Sequence, residues 1–182
     1  MGCRNETKSN VEMKTDTSDL LVEFLFLDED VCQPCSGTAR ALEEAVQITS
    51  APLAVMGLNL QIEKIHVINK KMAIAHKLLT SPTIRINAKD IDPARTEGEC
   101  GTCGDLAGGE TTVNCRNWDW RGEVYQNAPV GKIVEAIMEA AVKATKTGIE
   151  CCDSAITQDN YIIPENLEAF FDARKNIEKS CC

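Results

Sequence analysis

The stretch that decides the fold runs Leu20-Leu21-Val22-Glu23-Phe24-Leu25-Phe26-Leu27, then Asp28-Glu29-Asp30-Val31, then Cys32-Gln33-Pro34-Cys35. Its first eight residues are nearly all apolar and end at three acidic ones, which is the pattern of a strand buried on both faces. After Pro34 and Cys35 the period changes. Ala39, Leu42, Val46 and Thr49 fall on one helical stripe, with Arg40, Glu43, Glu44 and Gln47 elsewhere, so an amphipathic helix is expected to run to about Pro52. A cysteine pair is thereby placed where a buried strand hands over to a helix.

Outward from that point, Leu58, Leu60 and Ile62 alternate, and Ile65 and Val67 resume after a one-residue slip, which predicts a second strand with a bulge. Met72 to Leu79 is a short helical stretch, Thr83 to Asn87 a third strand, and Val124-Tyr125 a short fourth. Between them, residues 92 to 121 lack periodicity and form a long cysteine-containing insertion of the functional kind. Pro129 opens a helix carrying Val130, Ile133, Val134, Ile137 and Ala141, which stops at Thr147-Gly148. The predicted organisation is a polar, flexible arm over residues 1–19, an α/β domain over 20–146, and a tail over 147–182. That tail comprises a linker, an amphipathic helix after Pro164, and Cys181-Cys182.

Composition narrows the function. The chain has 182 residues, 43% of them hydrophobic, enough for one ordinary core. A net charge of -9 without Lys/Arg clusters argues against nucleic acid and against anionic membrane surfaces. The longest apolar run is too short to span a bilayer, the first 19 residues hold no signal-peptide core, and Glu6 spoils the acylation pattern begun by Met1-Gly2-Cys3. A cytoplasmic protein is the expectation. Ten cysteines are the outlying feature, and their close pairing at 32/35, 100/103, 151/152 and 181/182 suits thiol or metal chemistry better than a secreted disulfide framework.

The order strand, Cys-x-x-Cys, helix, strand, helix, Ser81-Pro82-Thr83, strand, strand, helix resembles the thioredoxin superfamily over residues 20–146. The run Ser81 to Asn87, the second Cys-x-x-Cys and Asn114-Cys115-Arg116-Asn117-Trp118 are similar to a family of uncharacterised thioredoxin-like bacterial and archaeal proteins. The resemblance implies a thioredoxin-like α/β fold, with a mixed central sheet flanked by helices. It also implies that Pro82 is cis and faces the cysteine pair, with Ser81 and Thr83 shaping a groove for a thiol or disulfide protein partner. Physical chemistry agrees with the placement: unpaired N–H groups and the partial positive charge at a helix start stabilise a thiolate. Cys32 is thus expected to be the exposed nucleophile and Cys35 the resolving thiol, with no cofactor needed for exchange. Asp28, Glu29 and Asp30 work against that thiolate.

The remaining cysteines suggest metal. Cys100-Gly101-Thr102-Cys103 has the glycine-containing turn of zinc knuckles, and Cys115 adds a third thiolate. A fourth ligand is not identified by spacing; His66, His76 and a distant cysteine are the candidates, and a redox relay or a disulfide suits the same residues. Cys151-Cys152 and Cys181-Cys182 are adjacent pairs, better suited to gripping a soft ion than to bridging each other. Cys181-Cys182 resembles the C-terminal pair of mercuric reductases, and paired cysteines occur in arsenic metallochaperones. Three functions follow from the sequence: a thiol-disulfide oxidoreductase, a soft metal or metalloid (arsenite, mercuric ion) binding protein, and a structural zinc module without redox activity.

Overall fold

The computed structural model describes residues 18–108, 113–147 and 161–180. Strand β1 (Ser18–Phe26) is central and pairs in parallel with β2 (Leu58–His66), from Ser18 opposite Leu58 to Phe26 opposite His66. On its other side β3 (Thr83–Ile86) runs antiparallel, and β4 (Lys89–Asp90) extends the sheet in the order β2-β1-β3-β4. The expected α/β class with a mixed central sheet is therefore present.

Helix α1 (Gln33–Val55) connects β1 to β2, and α2 (Lys70–Ala75) lies between β2 and β3. The Asn69 side chain caps α2 by accepting from the Met72 N–H at 2.9 Å. Helix α4 (Val130–Thr147) packs on α1 and on β1 and β3. Gly37 makes close contact possible at the start of α1, because a Cβ there would stand 2.4 Å from the Asn127 side chain just before α4. The apolar stripes of α1 and α4 thus close one core over the sheet, including Leu42, Ala45, Ile133 and Ile137.

Three sequence expectations change. Helix α1 does not stop at Pro52 but continues to Val55, since a proline this near the end removes one backbone bond and leaves the final turn to close through Met56 N–H to the Pro52 carbonyl. The bulge in β2 is absent, and the register with β1 is continuous. The slip in its pattern is a change of covered face along β2: Leu58 is buried and Ile62 exposed on one face, whereas Ile65 is buried on the other. Finally, Val124 and Tyr125 do not join the central sheet.

The residues read as an aperiodic connection contain β5 (Glu97–Glu99), α3 (Gly101–Leu106), β6 (Asn114–Arg116) and β7 (Trp118–Trp120). β5 pairs with β6, and β7 with β8 (Glu123–Tyr125), each as a separate two-stranded ribbon. Elements this short carry no readable periodicity. Helix α5 (Glu165–Ser180), placed in a tail by the sequence, contributes Leu167, Phe170 and Phe171 to the same buried cluster as the sheet.

Candidate metal and thiol centre

Two Cys-x-x-Cys turns open helices in the same way. Cys32 stands at the cap of α1 with extended backbone, and its carbonyl accepts from the Ser36 N–H at 3.0 Å. Cys100 is the corresponding residue of α3, its carbonyl accepting from Gly104 N–H at 3.0 Å. The Cys100 N–H also donates to the Val113 carbonyl at 2.9 Å, which prolongs the β5–β6 ladder in which Gly98 faces Cys115. That ladder fixes Cys100 beside Cys115, and the first turn of α3 brings Cys103 back toward both.

The result is a group of four buried cysteines, Cys32, Cys100, Cys103 and Cys115, whose sulfurs all lie within 4.8 Å of one another. Cys103 Sγ is 3.3 Å from Cys115 Sγ and 3.5 Å from Cys32 Sγ. Such a group can hold a metal ion. Cys35 stands outside the four, in the first turn of α1 after Cys32, and its sulfur lies 3.7 Å from Ser81 Oγ. All five cysteines of this region are free thiols.

Electrostatically, Cys32, Cys100 and Cys115 are displaced from the ordinary thiol value by their sulfur neighbours. Cys100, receiving hydrogen bonds from Cys103 and Cys115, is held well below the usual thiol range and carries the first negative charge. The Cys32 thiol, bonded to Cys100 and Cys103, is pushed up from 9.0 to about 12, and Cys115 is pushed up for the same reason. Cys35 is raised by its neighbour Cys32 and then by burial. A divalent ion would reverse this order by replacing the protons as the shared positive charge.

These observations correct the expectation for Cys32. A nucleophile at this helix start is expected to be the exposed member of the pair, yet Cys32 and Cys35 are both 0% exposed. The insertion carrying Cys100, Cys103 and Cys115 covers the helix start that would otherwise face solvent. The helix-start placement also fails to lower the Cys32 pKa, because neighbouring sulfurs rather than solvent surround it.

The Ser81–Pro82 peptide is cis. Ser81 Oγ accepts from Leu27 N–H at 3.2 Å, and the Ser81 carbonyl accepts from Arg116 N–H at 2.8 Å. Thr83 Oγ1 donates to the Thr80 carbonyl at 2.6 Å and accepts from the Arg116 guanidinium at 3.1 Å. Ser81 and Thr83, expected to line a partner groove, are therefore buried and engaged internally. Asp28 Oδ1 accepts from Asp30 and Val31 N–H groups at 3.0 and 2.8 Å, so the acidic run shapes the loop leading to Cys32.

Arg116 is a residue the sequence reading left without a role. It is fully buried, forks onto both Asp90 carboxylate oxygens at 2.8 and 3.0 Å, bonds the Asp92 carbonyl, and stacks 4.4 Å from the Trp118 ring. The guanidinium thereby locks β6, and with it Cys115, to the edge of the central sheet. A single arginine following a cysteine gives no sequence signal for this. Neither His66, which bonds the Leu27 carbonyl, nor His76 belongs to the sulfur group.

The family described as Domain of unknown function (DUF2703) matches residues 20–137. The chain belongs to that family. The DUF2703 segment contains Cys32, Cys35, Cys100, Cys103 and Cys115, whereas Cys151, Cys152, Cys181 and Cys182 lie after it, and Cys3 before it. Those flanking cysteines, including both adjacent pairs expected to bind soft ions, fall outside the described residues. No curated protein and no solved structure matches the chain. Among the described residues no helix is long and apolar enough to cross a membrane.

A cleft of about 190 Å³ reaches the centre. Gln33, Gly98, Cys100, Gly101, Cys115 and Asn117 are among its lining residues. Cys100 and Cys115 show 6% and 3% exposure there, while Cys32 and Cys103 show none. A small solute therefore meets the Cys100–Cys115 edge first.

Proposed function

We propose that this chain binds a thiophilic divalent ion, zinc by preference, through Cys32, Cys100, Cys103 and Cys115 in a thioredoxin-like domain. One observation carries the reading: four buried sulfurs lie within 4.8 Å of one another. Zinc–sulfur bonds of about 2.3 Å arranged tetrahedrally require sulfur–sulfur edges of about 3.8 Å, so binding needs only small side-chain adjustments. The ion would stabilise the junction of the insertion with the first helix, since its ligands come from α1, the α3 turn and β6. The fold assignment is supported by the strand order β2-β1-β3-β4, by the cysteine pair between β1 and α1, and by the cis bond at Pro82.

Cobalt(II) titration of the reduced protein tests this. The expected result is one tight equivalent with the intense thiolate-to-cobalt absorption of a tetrahedral four-sulfur site, displaced by zinc. Replacing Cys103 by serine should abolish that spectrum. Weak binding with the spectrum of oxygen or nitrogen ligands would refute the site.

The position of Cys35 in the first turn of α1, just after Cys32 at its cap, favours a second reading, thiol-disulfide exchange with a protein partner. It requires the insertion to move aside, because both sulfurs are sealed.

A further inference from the structure

Cys32 belongs to two sulfur groups at once. It is a corner of the four-thiol cluster, and it caps the helix in whose first turn the buried Cys35 stands, outside that cluster. A disulfide sulfur is no longer a thiolate ligand, so the two uses of Cys32 exclude each other. We infer that Cys35 is a redox gate on the metal centre: on oxidation by a small peroxide it takes Cys32 out of the ligand set and turns a closed four-thiolate site into an open three-thiolate one. This rests on the four-thiolate reading and adds its regulation.

The geometry gives the order of events. The cleft of about 190 Å³ admits a water-sized oxidant and borders Cys100 and Cys115, not Cys32 or Cys35. Cys100, the most exposed of the five at 6%, is attacked first. Its thiolate takes one oxygen from hydrogen peroxide, giving a sulfenic acid and hydroxide. The Cys32 thiol, within 4.8 Å, displaces that oxygen as water and forms a Cys32–Cys100 disulfide. Cys35 then attacks the Cys32 sulfur, and Cys100 leaves as a thiolate and resumes its place. In sum, two thiols and one peroxide become one disulfide and two waters, the electrons passing from Cys32 and Cys35 to peroxide. Cys100, Cys103 and Cys115 remain as ligands, and three protein ligands leave a coordination position open for exchange.

Cys35 is suited to this end position. Ser81 Oγ at 3.7 Å is its polar neighbour, so a serine or alanine there leaves the metal ligands untouched. No other described thiol lies outside the cluster. Without Cys35, oxidation would stop at a disulfide between two ligands.

The test uses the full-length chain with Cys3, Cys151, Cys152, Cys181 and Cys182 replaced by serine, so that only the core thiols report. Loaded with zinc alone, it is treated with one equivalent of hydrogen peroxide beside a chromogenic chelator, and disulfides are mapped by peptide mass spectrometry. Expected are a Cys32–Cys35 disulfide, accelerated transfer of zinc to the chelator, and recovery of retention after dithiothreitol. Cys35→Ser and Cys35→Ala should hold zinc normally when reduced but accumulate the Cys32–Cys100 disulfide. A parent disulfide confined to Cys100, Cys103 and Cys115, or reduced Cys35 variants that cannot hold zinc, would overturn the gate while leaving the four-thiolate site standing. If the reduced parent itself fails to retain zinc, both readings fall.

Discussion

A thiol among thiols does not titrate like a thiol at a helix start in water. Cys32 is raised from 9.0 to about 12 by hydrogen bonding to Cys100 and Cys103, and Cys35 and Cys115 move the same way. A raised pKa means that the protonated form is favoured in the native state. That stabilisation is complete below 9.0 and is lost as pH rises toward about 12. Cys100 is lowered, so its contribution is complete above the ordinary thiol value and is lost as pH falls below it. The metal-free reduced protein should therefore be most stable near 9.0 and lose melting temperature on the alkaline side. The zinc-loaded protein, whose four ligand thiols have already released their protons, should show a smaller decline, with only Cys35 of this group left to contribute. A metal-free melting temperature that climbs steadily above the ordinary thiol value would contradict the assigned directions.

At the scale of elements, the short ribbons and turns decide where the site residues stand. The β3–β4 turn is Asn87-Ala88, both with positive φ, at 49° and 63°. This backbone suits tight hairpins, and Asn87 fits it well, its Oδ1 accepting from Leu21 N–H at 3.0 Å. Ala88 does not, because a Cβ clashes in the left-handed region. Ala88→Gly should raise stability by about 1 kcal/mol, read as a higher denaturant midpoint at unchanged slope. No gain, or a loss, would mean that the turn is held otherwise. Next to this turn, Asp90 receives Arg116, so the same hairpin anchors the strand that carries Cys115.

At the scale of the whole molecule, α5 is part of the core although it lies beyond the DUF2703 match. Phe170 and Phe171 meet edge to face at 5.3 Å and are buried together with Leu167. Lys70 on α2 pairs with Glu168 and Asp172 on α5, at 3.1 and 2.7 Å, as an exposed pairing of small energetic weight. The apolar contacts dominate. Phe170→Ala should cost about 3–5 kcal/mol and lower one cooperative transition seen equally by far-UV and near-UV circular dichroism. Unchanged stability, or a separate transition for α5, would show that the helix is not integral to the fold.

The sequence carried the elements whose signal is local: the buried β1, the amphipathic α1, α4 and α5, and the turn that presents Cys32 and Cys35 at the start of α1. Hydrophobic period and proline placement are properties of neighbouring residues, so they can be read along the chain. It also pointed to Cys100, Cys103 and Cys115 as a candidate ligand set lacking a partner. Only the tertiary structure supplied that partner, Cys32, sixty-eight positions before Cys100. The same fold that delivers Cys32 removes it from solvent, which is why a thiol expected to act as an exposed nucleophile instead completes a buried four-sulfur group. Distance in space between residues far apart in sequence depends on how the insertion packs over the sheet, held there by Arg116 on Asp90 and by Cys100 N–H on the Val113 carbonyl. No pattern of neighbouring residues encodes those contacts.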